Sequence, residues 1–141
     1  MNFKLRPNQK LSVLIVDDDN DMRESLHDIL ESFGIFSFII HSGDGRDAIQ
    51  KLLYQRFDLV ITDLHMPKLE GGSLIEYIKT KPSIRDTYLI LVSGNITKEV
   101  LDKAVRYEIR DILTKPFSLD RIEKIINNFL INYKNDKVKV S

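Results

Sequence analysis

With 141 residues and no cysteine, the chain has the length of one ordinary domain and can form neither disulfides nor thiolate metal sites. Lys and Arg together number 21, as do Asp and Glu, so the formal charge is zero and gives no sign of nucleic acid as a partner. A domain of this length buries roughly 70% of its unfolded surface and needs no covalent staple.

Residues 1–10 are polar, contain Pro7 and read as a short arm. Asp17 ends the following apolar run too soon for a signal peptide, and no stretch approaches the roughly 20 apolar residues of a membrane span. The expectation is a soluble, cytoplasmic chain with no membrane partner. Ser12–Asp17 reads as the first strand: the aliphatic run Val13–Val16 is followed at once by Asp17, Asp18 and Asp19. Such a run suits a strand buried on both faces, which delivers Asp17 and Asp18 at its carboxyl end. Asn20 is the expected N-cap of a helix with Met22, Leu26, Ile29, Leu30 and Phe33 on one stripe, and Gly34 ends it. Ile35–Ile40 is the second strand. Gly43-Asp44-Gly45 opens a second helix with Ala48, Ile49, Leu52 and Leu53 inward.

Phe57–Thr62 is a third apolar strand, and it too runs into a carboxylate, Asp63. After the loop His65–Gly72, a helix over about Ser73–Thr80 turns Leu74, Ile75 and Ile78 inward. Tyr88–Val92 is the fourth strand, ending at Ser93-Gly94. The helix over about Thr97–Tyr107 is expected to bury Val100, Leu101, Ala104 and Val105. The short fifth strand, Asp111–Thr114, leads into Lys115-Pro116. A last helix from near Ser118 places Leu119, Ile122, Ile125, Ile126, Phe129 and Leu130 on one face, and residues 134–141 form a polar tail. Strands alternating with helices predict an α/β fold with a parallel sheet and right-handed crossovers over one domain, 11–133.

Strand ends carry the chemistry. Asp17 and Asp18, Asp63, Ser93 and Lys115 all stand at or just beyond the carboxyl end of a strand, where open α/β sheets bind ligands. Singly, Ser93 reads as a turn residue, Lys115 as a surface lysine and Asp63 as the start of a loop. Together they bring three carboxylates and an ammonium, a set suited to Mg²⁺ and phosphoryl chemistry. Without a metal, each close carboxylate pair repels by up to about 4 kcal/mol at an effective dielectric of 20.

The motifs LIVDDD, LVITDLHMP, LILVSG and LTKPF, in this order, resemble those of response-regulator receiver domains, of the chemotaxis-regulator kind. The resemblance covers about Leu11–Leu130 and implies a flavodoxin-like (βα)5 doubly wound sheet with strand order 2-1-3-4-5. It implies that Asp63 is the phospho-acceptor and that Asp17 and Asp18 hold Mg²⁺ together with Asp63 and the backbone carbonyl of His65. Ser93 matches the hydroxyl that turns toward the phosphoryl group, Lys115 the family's lysine, and Lys115–Pro116 its cis bond. The implied partners are a histidine kinase or phosphotransfer protein and a downstream protein target, with a homodimer as a further option. A domain of this kind is not an enzyme beyond its own phosphorylation and dephosphorylation, and its signal leaves through the face of helix 4, strand 5 and helix 5. Because the last helix closes the sequence, output is expected through bound partners or through further parts of a longer regulator.

The chain departs from the family where an aromatic residue usually stands three positions before the lysine; here that position is Ile112, and Tyr107 of helix 4 reads as a packed or surface tyrosine rather than as its substitute. Glu108 stands where that helix usually ends in Gly, which predicts a mildly strained left-handed residue. Asp19 reads as a solvated neighbour of the acid pair, and His27 and His41 as too scattered for a metal site. Two alternatives follow from the same residues: a degenerate receiver that binds partners without phosphorylation, and a haloacid-dehalogenase-like phosphatase with Asp17 as nucleophile. The phosphatase reading lacks a further acidic motif after Lys115. A flavin module of the same fold lacks a phosphate-binding loop after the first strand.

Overall fold

A computed structural model describes residues 10–64 and 71–138. The elements are β1 (Leu11–Val16), α1 (Asn20–Ser32), β2 (Phe36–Ser42), α2 (Gly45–Tyr54), β3 (Leu59–Asp63), α3 (Gly71–Thr80), β4 (Tyr88–Ser93), α4 (Lys98–Arg106), β5 (Asp111–Thr114) and α5 (Leu119–Val138). All four strand pairings are parallel, and the sheet order is β2-β1-β3-β4-β5. This is the expected flavodoxin-like fold. No helix among the described residues is long and apolar enough to cross a membrane.

Side chains of a strand alternate between its faces, and the unbroken apolar runs fill both. Val13, Ile15, Ile61, Ile90 and Val92 face one layer, where Leu26 and Leu30 of α1 meet Ile122, Ile125, Ile126 and Phe129 of α5. Leu14, Val16, Val60, Leu89 and Leu91 face the other, against Ala48 and Leu52 of α2, Leu74, Ile75 and Ile78 of α3, and Val100 and Ala104 of α4. Phe129, fully buried, gathers the rings of Phe36, Tyr88 and Tyr133 at centroid distances of 6.4, 5.1 and 5.2 Å, which ties α5 to β2 and β4. A buried phenylalanine of this kind contributes about 3–5 kcal/mol relative to Ala.

Several expectations are corrected. Leu53 and Val105 are exposed, at 56% and 80%, and Leu101 is exposed as well. Consecutive helix residues lie about 100° apart, so Leu52, Val100 and Ala104 take the narrow stripe facing the sheet and their neighbours cannot share it. Leu119 heads α5 and is exposed; burial begins at Ile122. The same helix continues through Val138, five residues past the expected end of the domain, while the arm over 1–9 and residues 139–141 lie outside the described residues. Asp19, not Asn20, caps α1, accepting from the backbone N–H groups of Asp21 and Met22. Both residue types cap well, and the turn after β1 puts the Asp19 carboxylate over the open amides.

Candidate functional site

The sheet order reverses direction between β1 and β3, and the crevice outside the carboxyl ends of the strands opens there. Register decides what meets in it. Val16 pairs with Thr62, so Asp17 and Asp63, one residue further on, emerge side by side. Each following loop adds backbone bonds beyond the strand: Asp17 N–H donates to Ser42 O, Leu64 N–H to Val92 O and Lys115 N–H to Ser93 O. The functional side chains therefore start from backbone held by the sheet.

Asp17 and Asp63 are buried, at 5% and 7% exposure, and Asp18 is exposed. One carboxylate oxygen from each of the three lies within 4.8 Å of the others. Lys115 closes the group from β5, its ammonium 2.7 Å from Asp63 Oδ2 and 2.9 Å from Asp17 Oδ2. The peptide bond that follows, Lys115–Pro116, is cis, as the resemblance implied. Asp17 Oδ1 also accepts the Asp19 backbone N–H at 2.9 Å. Arg23 binds the Asp17 carbonyl and donates to Asn20 Oδ1 at 2.9 Å.

The electrostatics follow from this crowding. Partial desolvation, then a hydrogen bond with Asp17 and the charges of Asp17 and Asp63, raise the Asp18 pKa from its ordinary value. Burial alone disfavours the Lys115 ammonium, but its hydrogen bonds to Asp63 and Asp17 prevail and hold it above the usual lysine value. Three carboxylates against one ammonium leave a deficit of two positive charges. A divalent cation has that charge, and an all-oxygen donor set in an open cleft suits Mg²⁺ with retained waters.

The structure brings Asp17, Asp18, Asp63 and Lys115 together as expected. Ser93 ends β4 on the same edge, opposite Thr114, and is buried. Its hydroxyl donates to Asn95 O at 2.6 Å and accepts the Asn95 backbone N–H at 3.3 Å, so it is engaged in its own turn. His65 and the Met66-Pro67 pair lie outside the described residues. Sequence reasoning missed Arg23 as a support of the Asp17 backbone; no local pattern signals a contact from a helix side chain to a strand-end carbonyl. Asp19 caps α1, its Oδ1 accepting the backbone N–H groups of Asp21 and Met22 at 2.9 and 3.3 Å. Ile112 and Tyr107 are both partly buried against the α2/α3/α4 layer. Glu108 has a φ of 56°, in the left-handed region expected for it.

Comparison with known proteins agrees with this geometry. Residues 13–127 match the sequence model of the response regulator receiver domain. The "Probable chemotaxis protein CheY" of Rhizobium etli is 30% identical over 118 residues, which covers 84% of this chain and 91% of that protein. Transcription factor SKN7 of Candida albicans is 31% identical over 93% of this chain, but the match spans only 23% of that protein. Among solved structures, a response regulator receiver protein from Pseudomonas putida superposes with a TM-score of 0.76 at 31% identity, covering 85% of this chain and 98% of that one. With five parallel strands in the order 2-1-3-4-5 and a match over most of its length, the chain belongs to the response-regulator receiver domain family.

Proposed function

We propose that the chain is a phosphorylation-controlled signalling domain that accepts a phosphoryl group on Asp63 from a histidine kinase or phosphotransfer protein. The observation that carries this reading is the Lys115 ammonium held across two buried carboxylates, Asp63 and Asp17, with Asp18 beside them. A carboxylate oxygen of Asp63 attacks phosphorus, the bond from phosphorus to the donor imidazole nitrogen breaks, and that nitrogen leaves with the bonding pair and takes up a proton. Lys115 meets the charge on the transferred group's oxygens, which is the main demand of phosphoryl transfer. Asp17, Asp18 and Asp63, with the carbonyl of His65, would hold Mg²⁺, which would supply the remaining charge neutralisation. Burial of Asp63 limits water at the acyl phosphate.

Output goes through the face of α4, β5 and α5. Ile96, Leu101, Val105 and Leu119 stand exposed around it, apolar surface that a downstream protein or a second copy can cover. Ser93 leaves Asn95 for a phosphoryl oxygen and carries the change into that face. With Ile112 in place of an aromatic ring, transmission along β5 uses aliphatic packing rather than a ring rotation.

The test is incubation with a small phosphodonor, with Mg²⁺ or with chelator, followed by intact mass spectrometry beside Asp63→Asn. The expected result is a Mg²⁺-dependent gain of one phosphoryl group that the variant lacks. No gain in folded, Mg²⁺-bound protein would favour a domain that binds partners without phosphorylation.

A further inference from the structure

His27 on α1 and His41 on β2, apart in sequence, meet at the edge of the sheet. His27 Nδ1 lies 2.8 Å from His41 Nε2, with ring centroids 4.9 Å apart and ring planes at 61°. On its far side, His27 Nε2 faces Glu31 Oε2 at 3.7 Å. That carboxylate favours the proton on Nε2 and leaves the Nδ1 lone pair turned toward His41. Both rings are half-buried, so the pair is held by the fold yet reachable from solvent.

We propose that His27 and His41 form a two-imidazole site for a tetragonal divalent transition-metal ion, Cu²⁺ or Ni²⁺, separate from the carboxylate cluster. Two nitrogens bound at about 2.0 Å and at right angles stand about 2.8 Å apart, so a tetragonal ion needs little change in the separation of the two ring nitrogens. Imidazole suits Cu²⁺, Ni²⁺ and Zn²⁺, and among them Cu²⁺ stands highest in intrinsic affinity. Glu31 stands 3.7 Å from the other nitrogen of the His27 ring, where a carboxylate supports a ligating imidazole.

Protons balance without a co-reactant. In the metal-free pair one N–H lies between the rings; on binding, His41 releases its Nε2 proton and takes one on Nδ1, so two neutral rings present two lone pairs. Small rotations of each ring turn those lone pairs onto a common point, and water fills the other positions. The charged groups facing the pair are Arg23 and Glu24 from α1, Lys51 from α2, whose ammonium binds the His41 carbonyl, and Glu31. Lys51 is also paired with Asp47 at 2.9 Å, so these groups carry no excess of positive charge against an entering cation.

The full chain, kept in saturating Mg²⁺ so that the carboxylates are occupied, is titrated with CuCl₂ and followed by calorimetry and electron paramagnetic resonance. The expected result is one ion with hyperfine splitting from two imidazole nitrogens. His27→Gln and His41→Gln should each weaken binding by at least about tenfold and remove one nitrogen from the spectrum, while His65→Gln changes neither. Circular dichroism checks folding, and if His41→Gln fails to fold, His27→Gln, at a half-buried position of α1, carries the test alone. Binding that survives the His27 and His41 substitutions belongs to the amino terminus or the carboxylates and overturns the proposal, as does its loss in His65→Gln.

Discussion

Lys115 Nζ lies 2.7 Å from Asp63 Oδ2, and this contact joins the last residue of β3 to the residue just past β5. The same ammonium reaches Asp17, so it bridges two buried carboxylates. Charge-assisted bonds of this kind are worth about 1.5–3 kcal/mol each, and loss of the shared partner removes one such bond from each acid. Lys115→Gln should lower the stability of the metal-free protein by about 2–3 kcal/mol and lose much less in saturating Mg²⁺. Thermal melts in chelator and in Mg²⁺ make the comparison; equal losses in the two would contradict it.

Asp18 is the carboxylate of the cluster with no cation against it in the described contacts, and its neighbours Asp17 and Asp63 both disfavour its charge. Asp18→Asn removes that repulsion and one metal ligand together. The variant should melt slightly higher than wild type in chelator, by a gain of up to about 1 kcal/mol because the group is exposed and screened. It should also lose the stabilisation that Mg²⁺ confers on the wild type. A lower melting temperature in chelator would sink the repulsion argument.

Glu108 holds a φ of 56°, a conformation that costs a residue with a Cβ about 1 kcal/mol relative to Gly. Its backbone N–H donates to Val105 O at 3.3 Å and the following Ile109 N–H to Ala104 O at 2.8 Å, the bonds that close α4. Glu108→Gly keeps those bonds and removes the strain, so it should stabilise the protein by roughly 0.5–1 kcal/mol in urea unfolding. A destabilised variant would mean that the side chain contributes more than its backbone costs.

Tyr88 and Tyr133 both give their hydroxyls to buried or partly buried carboxylates, Asp111 and Asp58. Burial and the bond to Asp111 push Tyr88 up to about 12, and burial and the bond to Asp58 raise Tyr133 further. A phenol whose folded pKa exceeds its unfolded value contributes stability that is complete below the unfolded pKa of about 10. That stability is lost as pH rises through the folded value, because the unfolded chain ionises first. Of the five tyrosines, these two should ionise last and together with unfolding in an ultraviolet titration. Tyr88→Phe should flatten the alkaline loss of stability between pH 10 and 12. An unchanged slope would place the loss elsewhere.

By itself, the sequence determined the alternation of strands and helices and the edge where the chemistry gathers. An apolar run such as Val13–Val16, bounded by polar residues, fits a strand buried on both faces, and a carboxylate that follows it then stands at its end. Asp17, Asp18, Asp63, Ser93 and Lys115 were legible for that reason, since each is placed by its own strand. The order of those strands was not legible from the runs and came from family resemblance, because an apolar run does not name its neighbour. Tertiary structure alone decided that Lys115 spans Asp17 and Asp63 and that Arg23 supports the Asp17 carbonyl. It also decided that Asp19 caps α1, that Leu101 and Val105 face outward, and that His27 meets His41. Local periodicity reports which face of an element is apolar, over a few residues at a time. What meets across β1, β3 and β5, or between α1 and β2, depends on sheet register and helix packing, which bring together residues that no local pattern connects.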